Sequence, residues 1–255
     1  MKAVKTLRKG EPGTYDNPPR KEVPDSVVQR TLPFMPPTLA AMVQVQRLTG
    51  MRPSEVFNMR VGEIDRTRSP ELWYYTPAHH KTERFIGTKT IPLGKPEQEL
   101  IAPYLIGKKS AEAVFSPRAA MAERNVELRA KRQSKITPSQ AARNEARAAK
   151  PSRYKEFYVD GSYGVAIKNV IKRANRQLPD GEKIPHWYPY QLRHSASTAM
   201  ELAGSIDDAQ ALLGHTSANM TKRYSHGQQV KAEALPRNRR NPFDTDGLEK
   251  DQAAG

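Results

Sequence analysis

The sequence predicts an α+β fold, mainly helical, with one small antiparallel sheet. Two observations carry this. Apolar residues recur at helical spacing in several segments, whereas only residues 71–76 (ELWYYT) and 85–93 (FIGTKTIPL) are aromatic or β-branched enough to read as strands. A third bounds the size: 255 residues suit one large domain or two small ones. Lys and Arg number 42 against 27 Asp and Glu, a net charge of +15. With a pI near 10.0, that balance points to an anionic polymer, nucleic acid ahead of a membrane surface. No apolar run approaches the ~20 residues of a spanning helix, and the start, MKAVKTLRKGEPG, lacks the apolar stretch of a signal peptide. The chain has no Cys, which excludes a disulfide framework, a thiolate zinc site and a cysteine nucleophile. A cytoplasmic setting is expected.

Each element follows from local signals. Residues 1–32, with Pro12, Pro18, Pro19 and Pro24 and little periodicity, read as an extended arm or linker. From Pro36, the residues Leu39, Met42, Val43, Gln46 and Leu48 predict a helix that Gly50 stops. Pro53 suits the first position of the next helix and places Arg52 at its N-terminus. The two strand-like segments bracket a polar loop as a hairpin. Helical patterns follow at about 95–106, 162–177, 190–203 and 206–213. Between Pro117 and Lys155 lies an Ala-rich insertion with eleven Lys and Arg against three Glu, a net +8. It is either a solvated helical face or a phosphate-contacting surface, and Arg118, Arg129, Lys131 and Arg132 are its candidate contacts. The tail from 233 to 255 is polar.

Four separated pieces carry the chemistry: LTGMRPSEVFNMRVGEID (Leu48 to Asp65), HHKTERFIGTKTIPLG (His79 to Gly94), YPYQLRHSASTAM (Tyr188 to Met200) and LLGHTSANMTKRYSHG (Leu212 to Gly227). Their residue types suit phosphodiester cleavage without a metal. Such a reaction needs positive donors around the non-bridging oxygens as charge builds in the transition state. Arginine fits best, because its planar fork binds phosphate bidentately and keeps its proton; Arg52 and Arg193 are the candidates. A phenol is a weak nucleophile but a tolerable leaving group, so a phosphotyrosyl bond can be reversed by a DNA hydroxyl.

Taken in this order, with Tyr224 nine residues after His215, the four pieces closely resemble the catalytic boxes of the tyrosine recombinase (phage integrase) family over about residues 36–230. The resemblance implies an integrase-type catalytic domain at 33–232 that cleaves and rejoins DNA through a 3′-phosphotyrosyl intermediate on Tyr224. It implies a site-specific recombinase of a mobile genetic element that uses neither metal nor ATP. Arg52 and Arg193 become the phosphate clamp, and His215 a donor to the scissile phosphate. Lys81 becomes the loop lysine that protonates the leaving 5′-oxygen. Lys89 competes for that role, although its place within TKTIPL is that of a strand residue. Glu55 is expected to buttress an arginine, and His194 to orient the site from behind. In the third box the family usually has His or Lys where this chain has Tyr190, and a phenol is a poor base at neutral pH.

The same resemblance implies double-stranded DNA as partner, a homotetramer on synapsed sites, and a place on the prokaryotic nucleoid. It leaves the family's N-terminal core-binding domain without a counterpart here. No cofactor is expected, and no histidine pair has the i, i+4 spacing of a zinc site. Two other readings share the sequence. One is a catalytically impaired remnant that still binds DNA, which Tyr190 motivates. The other is a type IB topoisomerase-like enzyme that relaxes DNA with the same chemistry.

Overall fold

The computed structural model describes residues 22–203 apart from Thr82, Pro151, Arg153 and Asp160. The expected helix at 206–213, His215, Tyr224, the tail and residues 1–21 lie outside the described residues.

Helix α1 (Asp25–Thr31) and a short 3₁₀ turn (Leu32–Phe34) lead into α2 (Pro37–Thr49) and α3 (Pro53–Phe57). Strands β1 (Ile64–Asp65) and β2 (Trp73–Tyr75) follow, then a single helical turn α4 (Glu83–Ile86), strand β3 (Ile91–Leu93) and helix α5 (Lys95–Ile101). The insertion forms a helical pair, α6 (Pro117–Ala130) and α7 (Pro138–Ala148). Helices α8 (Ser162–Ala174) and α9 (Pro189–Ala203) complete the described chain.

Helix α2 is the central element. Pro37 opens it and Gly50 closes it in the left-handed conformation (φ 65°), where a side chain would be strained. Its apolar positions Leu39, Met42, Val43, Val45 and Leu48 are buried, because α9, α5 and α6 all pack against it. Gly50→Ala should therefore cost ~1 kcal/mol, a fall of about 2–4 °C in Tm for a domain of this size, read by calorimetry.

The sheet has the order β1-β2-β3 and is antiparallel throughout, with Ile64 opposite Tyr75 and Trp73 opposite Leu93. Pro92 pairs with Tyr74. It is tolerated because β3 is an edge strand, where a missing N–H breaks no ladder bond on the outer side.

Three expectations need adjustment. The second strand does not begin at Phe85; residues 83–86 make the helical turn α4, and only 91–93 are strand. Strand β1 is too short to leave an alternation of its own and exists through its pairing with β2. The arm also ends earlier than residue 32. Val23, Val28 and Thr31 are buried, because α1 packs on α8, Asp25 accepts two bonds from Arg47 at 2.6 and 2.8 Å, and the Trp187 indole donates to the Thr31 hydroxyl at 3.2 Å.

Candidate active site and basic surface

The site begins at the three-residue turn between α2 and α3. Gly50 reverses the chain, Met51 is buried, and Arg52 becomes the N-cap of α3 with extended backbone and Pro53 at the first helical position. Two buried side chains staple this turn to α9. Gln46 Nε2 donates to the carbonyls of Met51 (3.2 Å) and Pro189 (3.0 Å). Arg193 Nη1 donates to the carbonyl of Gly50 (2.7 Å). The backbone of the first box and the helix of the third are thereby fixed relative to each other.

Glu55, at the third position of α3, organises the charges. Its Oε2 accepts from the Arg52 backbone N–H (2.8 Å), satisfying a helix-end donor, and its Oε1 accepts from Arg52 Nη1 (3.1 Å). Both oxygens also accept from Lys89 Nζ at 2.9 Å. Tyr75 of β2 donates its hydroxyl to the Glu55 carbonyl (2.7 Å), tying the sheet to α3. The side chains of Glu55 and Lys89 are 1% and 7% exposed. Burial alone would raise the Glu55 pKa; the Lys89 charge and hydrogen bonds, then the Arg52 amide and charge, outweigh it and hold the carboxyl below its ordinary value. Burial pushes Lys89 down to about 8 against the pull of Glu55, with Arg193 and Arg52 adding repulsion. Burial and then Arg52 likewise bring Arg193 down to about 10. Arg193 is 3% exposed and feels the Glu55 carboxylate as well as the Arg52 charge.

Arg52, Lys81 and Tyr190 line one cleft of about 560 Å³, together with Lys168 of α8, His186 and Tyr188. Lys81 is exposed in the turn before α4. Tyr190 lies in the first turn of α9, and its ring meets that of His194 edge-on with centroids 5.3 Å apart. The structure thus brings Arg52, Lys81 and Tyr190 to one opening, with Glu55 buried beside Arg52 and Arg193 close enough to repel it. His215 and Tyr224 lie outside the described residues. Lys89, weighed in the sequence only as an alternative to Lys81, is buried against Glu55 and is not part of the cleft lining. Its signal was alternation: Lys89 is two residues before Ile91 and four before Leu93, so it shares their inward face.

The insertion carries a separate basic surface. Arg118, Arg129 and Arg132 line a cleft of about 730 Å³ with Arg147 and Lys150, and no acid lines it. Lys131 instead pairs with Glu127 at 2.6 Å, and Arg118 pairs with Glu156 at 3.4 Å. Arg132 is occupied by the turn between α6 and α7, donating to the Ser134 carbonyl (2.9 Å) and to Gln140 Oε1 (2.9 Å). A second cationic hollow, which periodicity alone did not single out, gathers Arg124 of α6 with Lys172, Arg173 and Arg176. Burial and the neighbouring Arg124 lower the pKa of Arg173. Among the described residues no helix is long and apolar enough to cross a membrane, and no three His, Cys, Asp or Glu side chains group as metal ligands.

Comparison with known proteins finds similarity to one family. The model of the phage integrase family matches residues 161–230, a segment that holds α8, the Arg193 helix and the positions of His215 and Tyr224. The tyrosine recombinase XerC of Bifidobacterium longum (strain DJO10A) is 25% identical over 205 residues, which are 78% of this chain and 47% of that protein. The chain therefore spans about half the length of the curated relative that it matches. A crystal structure of the XerH site-specific recombinase bound to difH substrate, a pre-cleavage complex, aligns with 92% of this chain and 54% of its own at 14% identity and a TM-score of 0.43. The family model covers the third and fourth boxes and the recombinase relative aligns with most of the remainder, so the chain is similar to phage integrases and to that tyrosine recombinase.

Proposed function

We propose that this chain is a site-specific DNA recombinase whose domain at 33–232 cuts and rejoins DNA through Tyr224, with neither metal nor nucleotide. The observation that carries the reading is the stapled turn: Arg52 lines the cleft, and the buried Arg193, which donates to the Gly50 carbonyl, lies close enough to repel it, while the Glu55 carboxylate is shared between Arg52 and Lys89. Such a site stabilises the charge that grows on a pentacoordinate phosphorus. The Tyr224 hydroxyl gives up its proton to solvent water as its oxygen attacks the phosphorus, the bond to the 5′-oxygen breaks, and Lys81, at the mouth of the same cleft, gives that oxygen a proton. His215 donates to the phosphate. Tyr190 lines the cleft at the usual histidine place and contributes a hydrogen bond rather than a base. His194 supports Tyr190 through their ring contact. Working on synapsed sites, the protein acts as a homotetramer on double-stranded DNA in the cytoplasm.

The test is covalent trapping. Nicked, partly randomised duplexes from which the cut end diffuses away should give a protein–DNA adduct on a denaturing gel with the parent. The Tyr224→Phe variant should give none, while binding DNA as before. An adduct that survives in Tyr224→Phe would remove Tyr224 as the nucleophile.

The insertion adds affinity without sequence preference. Neutralising Arg118, Arg129 and Arg147 together should flatten the plot of log affinity against log salt by ~0.9 for each phosphate that is no longer neutralised. An unchanged slope would make this surface a solvated face only.

A further inference from the structure

We propose that Lys89 is a positioning residue for the arginine clamp: by holding both oxygens of Glu55, it keeps that carboxylate from cancelling the charge that Arg52 presents to the cleft. The inference rests on the cleft taking an anion, and it deepens the phosphodiester reading above.

The geometry is unequal. Glu55 gives Lys89 two contacts of 2.9 Å but gives the Arg52 guanidinium one of 3.1 Å, through Nη1. A carboxylate and a guanidinium left to themselves favour two parallel bonds. Here both Glu55 oxygens accept from the Lys89 ammonium and Oε2 accepts from the Arg52 amide as well, so less of the carboxylate is left for a second guanidinium bond. Glu55 and Lys89 then form a neutral buried pair. Arg52, 11% exposed, keeps its charge and part of its fork for the cleft that it lines. Lys89 stays behind and does not line that cleft, so it acts through Arg52 and not on the substrate.

The groups facing Lys89 are Glu55 and Arg52 from α3 and its cap and Arg193 from α9, while Tyr75 of β2 holds the Glu55 backbone. An arginine in place of Lys89 keeps the charge and never loses it. A methionine fills comparable space with no charge. As the pH rises past about 8, Lys89 loses its proton while Glu55 stays ionised, and the freed carboxylate turns to Arg52. A bound anion favours charged Lys89, so the effect belongs to the empty site. It should appear in affinity and in second-order rates, and fade once the site is saturated.

The experiment uses sulfate, which does not titrate in this range, at constant ionic strength balanced with chloride. Binding is followed by the NMR shift of the Arg52 Nε–H at pH 7 and pH 9 in the parent, Lys89→Arg and Lys89→Met. In the parent, sulfate affinity should fall about tenfold between the two pH values. In Lys89→Arg it should hold. Lys89→Met should start near the weakened value and show no pH dependence. Should Lys89→Met fail to fold, the contrast between the parent and Lys89→Arg decides alone. Equal affinity in the parent at both pH values, or a Lys89→Met variant that binds as the parent does at pH 7, would overturn the proposal. Covalent trapping with the same proteins separates this from the recombinase reading. A pH-dependent sulfate site in a parent that forms no adduct would uphold Lys89 and overturn the recombinase; an adduct with unchanged sulfate affinity would do the reverse.

Discussion

Replacing Arg193 by lysine should lower covalent adduct formation by about 10²-fold, the scale of removing one preorganised donor from a developing oxyanion. Arg193 serves two directions at once. Its Nη1 donates to the Gly50 carbonyl at 2.7 Å, and the same planar fork is the proposed donor to the phosphate. A lysine ammonium is a single point on a flexible stem and cannot span both. Because the substitution keeps the charge and much of the volume, the fold should survive it. A Tm within a few degrees of the parent, beside the lost adduct, is the expected pair of results. An adduct yield within threefold of the parent would show that the fork is not needed.

The second large effect is on stability. Glu55→Ala removes the carboxylate that Arg52 and Lys89 share and leaves a buried ammonium facing two guanidiniums. Stripping one partner from a buried pair costs about 3–5 kcal/mol, so urea unfolding should shift by that amount. Glu55→Gln keeps the shape and the cap to the Arg52 amide, and should lose less. The pH dependence gives an independent check. The folded-state pKa of Glu55 is depressed, so its contribution is fully present above the ordinary glutamate value of about 4.3. It is lost as the pH falls through its own lower value. Stability of the parent should drop below about pH 4, and Glu55→Gln should lack that part of the drop.

Much of this was legible before any coordinates. The α2 helix and its glycine stop, Arg52 at the start of α3, the two-strand hairpin and the helical insertion follow from local periodicity and from Pro and Gly placed where helices begin and end. The missed features are those that only tertiary contact decides. Strand β1 is two residues held by β2. Helix α1 reads as linker because it has few apolar positions, yet Val28 and Thr31 are buried where α1 meets α8 and Trp187. Of the site, the residue types and their order were readable. What was not readable is how Glu55 divides its bonds, since no spacing states whether a carboxylate serves an arginine or a lysine thirty-four positions away.

The docking of Val23 on α9 has a mechanical consequence. The Ser195 hydroxyl accepts from the Val23 N–H at 3.0 Å and reaches the Val23 carbonyl at 2.7 Å, two positions from Arg193. A pull on the chain at Glu22 is therefore delivered to the helix that carries Arg193, through the Ser195 hydroxyl and the Gln191 side-chain amide, which donates to the Glu22 carbonyl at 3.5 Å. Whatever is tethered upstream of Glu22 has leverage on the proposed phosphate site, and Ser195→Ala would remove the shorter of these two holds without touching the cleft.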